Sequence, residues 1–201
     1  MDINTTRLRC LLGWLAILLP WIVAAFVGII PQSISATWYT NACTAFMIIL
    51  GASSILLISY KGYEKIDDII TTVTGIFGLG ICFFPCTPVP DFGIMLPTPF
   101  YIPYKICNII HLACAMIFFV LLAYNSFFFF TKSSNVITKN KKIRNIIFRV
   151  CALGMLISFA ILLLPDFTIQ VWLTEMIALT FFGISWLTKA NYYSILFADK
   201  V

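Results

Sequence analysis

Six long apolar stretches occupy most of this 201-residue chain. A helix needs about 20 predominantly apolar residues to cross the hydrocarbon core of a bilayer. Inside lipid, a helix also satisfies its own backbone hydrogen bonds, so these stretches predict spanning helices. Charged residues make up 10% of the chain, against about 25% in soluble domains. We therefore expect an all-α integral membrane protein that forms one domain over 1–201. The predicted spans are 11–30, 42–60, 69–85, 106–130, 146–164 and 171–187.

The basic residues are distributed unevenly between the two sets of loops. One set, with the termini, contains Arg7, Arg9, Lys61, Lys65, Lys132, Lys139, Lys141, Lys142, Arg144, Lys189 and Lys200. The opposite set contains only Lys105. Because cytoplasmic loops carry the excess of Lys and Arg, both termini are predicted to be cytoplasmic. The net charge of +5 is explained by these topology signals, so we do not expect nucleic-acid binding.

The longest loop on the opposite side, 86–105, is rich in proline and in apolar residues. Proline excludes helix and favours an extended path, and the apolar residues argue against a free solvated loop. We expect this loop to form a cap over the outer face of the bundle. Cys86 and Cys107 flank it, and a disulfide between them is a hypothesis that requires an oxidising compartment.

The third span carries a stripe of small residues at helical spacing: Thr71, Gly75, Gly78 and Cys82. In lipid, small residues let helix backbones approach closely, because packing replaces the hydrophobic effect as the driving force. The stripe predicts a tight helix contact inside the bundle. The lining of a narrow pathway is the alternative.

Two ionisable residues lie inside the apolar stretches, His111 in the fourth span and Glu175 in the sixth. Ionisable groups at membrane depth are costly and usually functional. His111 lies about 8 Å from the outer end of its span, at 1.5 Å per residue, and Glu175 lies at nearly the same depth, so they are expected to pair. Asn108 shares a helix face with His111. The first outer loop adds Ser35, Tyr39 and Asn41, if it folds over the mouth of the bundle.

Three interpretations of this outer group stay open. His111 and Glu175 form a structural polar contact between two helices, or they orient a lipid headgroup or other small amphiphile. In the third, Ser35 is a nucleophile, His111 its base and Glu175 the group that orients the base. The sequence predicts no metal site, because one His, one Glu and scattered cysteines do not form a recognisable ligand pattern. It predicts no cofactor, and no catalytic residue is assigned.

A second charged group is predicted at the inner face, from Lys61, Glu64, Asp67, Asp68 and Arg149. Negative charge is favoured at the start of the third span by the helix dipole, and Arg149 is expected to pair with these acids or to reach the membrane surface. The preferred interpretation is structural. The nearby basic cluster after the fourth span also favours anionic lipid.

Several strings in this chain resemble those of small bacterial six-span membrane proteins of unknown function. They are SISATWYT, LLISYKGYEKIDD, LAYNSFFFFTKS and FFGISWLTK, together with His111. The resemblance implies a six-helix bundle in the bacterial inner membrane and no known activity. With the residues above, it leads us to expect an outward-facing polar pocket for a lipid headgroup or amphiphile, with lipids and copies of the same chain as partners. A lipid hydrolase and an oligomeric channel-forming effector or sensor are the alternatives.

Overall fold

The computed structural model describes residues 3–87, 98, 101–132, 138–162 and 171–192. All regular structure in this part of the chain is helical. The helices are α1 (Ile3–Val27), α2 (Cys43–Ser59), α3 (Lys65–Phe83), α4 (Tyr104–Tyr124), α5 (Lys139–Ile161) and α6 (Val171–Lys189). A short 3₁₀ helix, Ser35–Tyr39, precedes α2, and a π-helical turn, Asn125–Phe129, continues α4.

Five of the six helices are long and apolar enough to cross a bilayer, which confirms the all-α class and the membrane character of the chain. The exception is α2, which has 17 residues and is about 26 Å long at 1.5 Å per residue. Two helices extend beyond the predicted spans: α1 begins at Ile3 and α5 at Lys139. Polar residues continue the backbone hydrogen bonding there, so the helices are longer than their apolar segments. At its other end α1 stops at Val27, because Gly28 takes a left-handed φ of 84° that glycine adopts without strain.

The helices pack as a ring in chain order. Each helix contacts the next along the sequence, and α1 closes the ring against α6. Aromatic rings fill part of the axis, in edge-to-face pairs that are favoured by the ring quadrupole. The ring centroids of Phe118 in α4 and Phe182 in α6 lie 6.4 Å apart. Those of Phe182 and Trp186 are 6.1 Å apart, and those of Trp186 and Phe130 are 5.2 Å apart. In this order α4 packs mainly against α3 and α5, and its contact with α6 is small.

The predicted small-residue stripe lies at a close helix contact, as expected. A side chain at Gly75 would collide with the backbone carbonyl of Ser54, and one at Gly78 would collide with the Ser54 hydroxyl. Absence of side chains at these positions therefore sets the separation of α2 and α3. A second close contact, which the sequence analysis missed, joins α1 to α6. There, a side chain at Gly13 would lie 2.9 Å from the carbonyl oxygen of Gly183.

Two predictions about the outer loop 86–105 have different outcomes. Most of the predicted cap, 88–97 and 99–100, lies outside the described residues, so the cap stays a prediction. The disulfide hypothesis is wrong, because Cys86 and Cys107 are both free thiols in the structure.

Candidate functional site

Glu175, in the second turn of α6, receives hydrogen bonds from the first outer loop. The Ser33 hydroxyl donates to the carboxylate at 3.0 Å and 3.2 Å, and the Ser35 hydroxyl donates at 3.0 Å. The backbone N–H of Ile34 donates at 2.5 Å. Nearby, the N–H of Trp172 donates to the carbonyl of Gln32 at 2.8 Å. These bonds fasten the loop to the outer end of α6.

The local conformation of the loop explains why it presents donors to a carboxylate. Residues 35–39 form a 3₁₀ helix, and the first N–H groups of a helix have no partner within it. The Ser33 hydroxyl accepts from the N–H of Ala36 at 3.3 Å, and the Thr37 hydroxyl donates to the carbonyl of Ile34 at 2.5 Å. These bonds hold the start of the helix, where negative charge is favoured, against Glu175. We call residues 33–35 with Glu175 the outer latch.

His111 is buried but lies outside the outer latch. Its Nδ1 lies 2.7 Å from the carbonyl oxygen of Phe84, and because a carbonyl only accepts, Nδ1 carries the hydrogen. Phe84 follows the last residue of α3, where helix carbonyls lack intrahelical partners. Among the described residues, no hydrogen bond or ion pair joins His111 to Glu175. The predicted pair is therefore wrong, because α4 packs beside α3 and turns this ring towards the end of that helix.

The other predicted site residues have separate partners. The Tyr39 hydroxyl donates to the carbonyl of Cys86 at 2.6 Å. Asn41 is exposed, and its side-chain N–H donates to the carbonyl of Phe26 at 2.7 Å. Asn108 accepts from the N–H of Thr87 at 2.9 Å. These three contacts tie loop segments to helix ends. Among the six predicted pocket residues, the hydrogen bonds of the described structure join only Ser35 and Glu175 to each other.

A cavity of about 40 Å³ lies inside the helix ring next to the outer latch. Glu175 and Ser35 are the polar side chains among its described lining. Since one water occupies roughly 10–15 Å³ in this measure, the space holds about three waters or a small apolar group. Every helix contributes one or more apolar residues to the wall, among them Leu19, Phe46, Ile81, Ala115, Phe159 and Leu179.

The proposed hydrolytic set is not assembled in this conformation. A serine nucleophile needs its hydroxyl within hydrogen-bond reach of the base. The hydroxyl of Ser35 donates to Glu175, and His111 bonds to a backbone carbonyl. In the part of the chain that the structure describes, no group of three metal-binding side chains occurs either.

In the charged group that the sequence predicts for the inner face, Lys132 takes the position expected of Arg149. The Lys132 ammonium lies 3.0 Å from the Glu64 carboxylate and 3.2 Å from that of Asp67. Glu64 and Asp67 also form a reciprocal capping box at the start of α3, which satisfies free N–H groups of that helix end. Arg149 instead lies over the ring of Phe127, at 5.6 Å. The predicted pairing of Arg149 is wrong, because its position on α5 directs it to the π-helical turn.

The remaining predicted members of the inner group are Lys61 and Asp68. The Lys61 ammonium lies 3.7 Å from the Asp68 carboxylate, and the Lys61 side chain is largely exposed. Exposed pairs of this kind contribute little to stability.

The sequence analysis missed Ser33, the N–H of Ile34 and Lys132 as site components. The alternating serines of QSIS, beside an isolated membrane Glu, were the available signal for Ser33. The backbone N–H of Ile34 could not be predicted from the residue type, because every residue except proline carries one. Lys132 was read only as a topology residue, although it directly follows the aromatic end of the fourth span.

In the part of the chain that the structure describes, the fold is all-helical, and five of its six α-helices are apolar and of membrane-spanning length. Comparison with protein-family models, with curated proteins and with solved structures finds no match for the chain.

Proposed function

We propose that this chain is a six-span bundle of the bacterial inner membrane, with both termini cytoplasmic, that binds a small amphiphile at the outer latch. The supporting observation is the position of the Glu175 carboxylate at one end of an apolar cavity lined by all six helices. Ligand sites are mostly apolar, with a few polar groups that fix orientation. In this proposal the carboxylate orients the polar end of the ligand, and the apolar wall holds the start of its chain.

The latch favours a ligand that donates hydrogen bonds, such as a primary amine. A carboxylate has about four acceptor positions, and four donors from the loop occupy it here: the Ser33 and Ser35 hydroxyls and the backbone N–H groups of Ile34 and Ser35. A ligand N–H therefore competes with these loop donors, and a cationic headgroup gains further from the negative charge of the carboxylate. The cavity holds only about three waters, so a longer chain enters only when the loop moves outward. The ligand donor then replaces one or more serine hydroxyls.

The test compares two amphiphiles that share a chain and differ in headgroup charge: dodecylamine and dodecanoate. Native mass spectrometry of the purified protein, released from a neutral detergent, counts the bound molecules. We expect the wild type to retain dodecylamine about tenfold more strongly than dodecanoate, since one charge-assisted hydrogen bond contributes about 1.5–3 kcal/mol. Glu175→Gln is expected to abolish the preference.

A pair of matched variants separates the cavity from the membrane surface. Ala115 lines the cavity and Ala113, on the same helix, is exposed. Ala115→Phe should remove dodecylamine binding, whereas Ala113→Phe should leave it unchanged. The proposal fails if Glu175→Gln keeps the wild-type preference, or if both Phe variants bind as the wild type does.

Neither alternative function has comparable geometric support. The hydrolase lacks contact between Ser35 and His111. For the oligomeric channel, the aromatic series of Phe118, Phe182 and Trp186 packs inside the single bundle, so a pore would have to lie between copies of the chain. Membrane lipids are therefore the proposed partners.

A further inference from the structure

A second cavity, of about 100 Å³, lies where α6 ends and α5 begins. Four basic residues line it, Arg9 from α1, Lys141 and Arg144 from α5, and Lys189 from α6. No acidic residue belongs to its described lining. These positions are far apart in the sequence, and the ring order of the helices brings them together. We call these four residues the basic pocket.

Two of the four cations are buried rather than spread on the surface. Lys189 is 8% exposed and Arg9 is 5% exposed. Lys and Arg near a membrane normally bury their stems and keep the charged heads in water. A buried cation is costly unless an anion or several acceptors compensate it. The basic pocket therefore differs from an ordinary cytoplasmic excess of positive charge.

The described partners of Lys189 and Lys141 are rings and carbonyls rather than carboxylates. The Lys189 ammonium lies 4.5 Å from the ring centre of Tyr63 and 4.9 Å from that of Phe130. The Lys141 ammonium donates to the carbonyl of Phe130 at 3.0 Å. On Arg9, the guanidinium donates to the Tyr60 hydroxyl at 3.1 Å. These contacts orient the cations, and among the described residues neither the Lys189 nor the Lys141 ammonium has a carboxylate partner.

The acids of the inner face are engaged elsewhere. Asp67 is the acid whose charge acts on Lys189, but its carboxylate receives the Lys132 ammonium and the N–H groups of Tyr63 and Glu64. Within the described residues, no salt bridge reaches Lys189 or Lys141. The start of α5, capped by the Thr138 hydroxyl, adds the positive end of a helix dipole on the same side of the pocket.

We infer that the basic pocket binds a phosphate group. The cavity holds roughly seven waters at 10–15 Å³ each, which is enough for a tetrahedral phosphate. Arginine forks match phosphate oxygens in two-point hydrogen bonds, and lysines add point charge. A phosphate of this kind is either the headgroup of an anionic lipid or a free phosphate compound from the aqueous side. This inference is independent of the outer latch, which lies at the opposite end of α6.

The experiment uses the full chain in nanodiscs and two probes, one for each source of phosphate. Inorganic phosphate is titrated by calorimetry into nanodiscs of phosphatidylcholine. Phosphatidate is offered as a minor component, and retained lipid is counted by native mass spectrometry. Saturable heat from inorganic phosphate identifies a soluble ligand, whereas selective retention of phosphatidate over phosphatidylcholine identifies a lipid headgroup. If neither probe binds, the inference is overturned.

Matched variants test whether the pocket, rather than net charge, is responsible. The double variant Lys141→Gln/Arg144→Gln removes two charges from the pocket lining, and Lys139→Gln/Lys142→Gln removes two exposed charges from the same helix. The first is expected to weaken binding at least about tenfold, because each charge-assisted hydrogen bond contributes well over a factor of ten. The second should change binding less than twofold. Equal losses in the two variants would overturn the inference.

A third variant distinguishes a loss of binding from misfolding, in case the Lys141→Gln/Arg144→Gln variant does not fold. Lys189→Met replaces a buried cation with an apolar chain of similar length, a type of change that is often neutral or stabilising. It is expected to weaken binding of the same probe about tenfold while the thermal midpoint stays at or above that of the wild type. Unchanged binding in a folded Lys189→Met variant would also overturn the inference.

Discussion

The close contact of α2 and α3 predicts opposite effects of alanine at two helical glycines. Gly75→Ala should lower the free energy of unfolding, whereas Gly51→Ala should raise it. Gly75 of α3 lies against the backbone of α2, where an added Cβ would collide with the Ser54 carbonyl and lie 3.0 Å from the amide nitrogen of Ile58. Gly51 of α2 has no heavy atom within 4 Å of the same added atom. Both positions are helical, so Gly→Ala changes intrinsic helix propensity equally.

The magnitude follows from two opposing terms. Replacing a helical glycine with alanine stabilises by about 1 kcal/mol. At Gly75 the collision is with backbone atoms that cannot rotate away, so the two helices must separate, and overpacking of this kind costs about 1–3 kcal/mol. Taking the upper end of that range, Gly75→Ala should lower the free energy of unfolding by about 2 kcal/mol. Gly51→Ala should raise it by up to about 1 kcal/mol.

Thermal unfolding of the purified protein in detergent, followed by circular dichroism, checks both variants. For a chain of this size, about 1 kcal/mol shifts the midpoint by roughly 2–4 °C. Gly75→Ala should therefore melt about 4–8 °C lower than the wild type, and Gly51→Ala at or above it. If Gly75→Ala were as stable as Gly51→Ala, the backbones of α2 and α3 would not be in contact, and the ring order would need revision.

Two further predictions concern groups that follow the ends of α2 and α3. Tyr60→Phe removes the hydroxyl that accepts from the buried Arg9 guanidinium at 3.1 Å, so the free energy of unfolding should fall by about 1–3 kcal/mol; a thermal midpoint equal to that of the wild type would contradict this. Burial, with a smaller contribution from the charge of Glu175, raises the pKa of the Cys86 thiol to about 12, so only about one thiol in ten thousand is ionised at pH 8. Peptide mapping after iodoacetamide treatment at pH 8 should show Cys86 unmodified in the folded protein and modified after denaturation, and rapid labelling of the folded protein would refute the burial.

The helices and their membrane character were predictable, because they depend on local composition and period. Apolar runs of spanning length identify helices that lipid tolerates, and each of the six predicted spans overlaps a helix of the described residues. The small-residue stripe with Gly75 and Gly78 was also predictable from the sequence, because the spacing of residues within one helix determines which of them share a face.

The partners of the polar groups were not predictable in the same way. Equal depth suggested that His111 and Glu175 would pair, but depth along two helices says nothing about which helices are neighbours. In the ring of helices, His111 is hydrogen-bonded to the residue that follows α3. Glu175 is hydrogen-bonded to a loop some 140 residues earlier in the chain. In the same way Lys132, rather than Arg149, reaches the acids at the start of α3.

Residue types along the chain thus determined which segments are apolar and long enough to cross lipid and which groups are costly to place there. Only the tertiary structure decided what compensates each of those groups, including a backbone N–H at Ile34 that any residue other than proline would supply. It also brought Arg9 beside Lys189, 180 residues away, at the basic pocket. The physical reason is range: apolar transfer is a property of each segment by itself, whereas a hydrogen bond requires two atoms within about 3 Å, a distance set by the packing of the whole bundle.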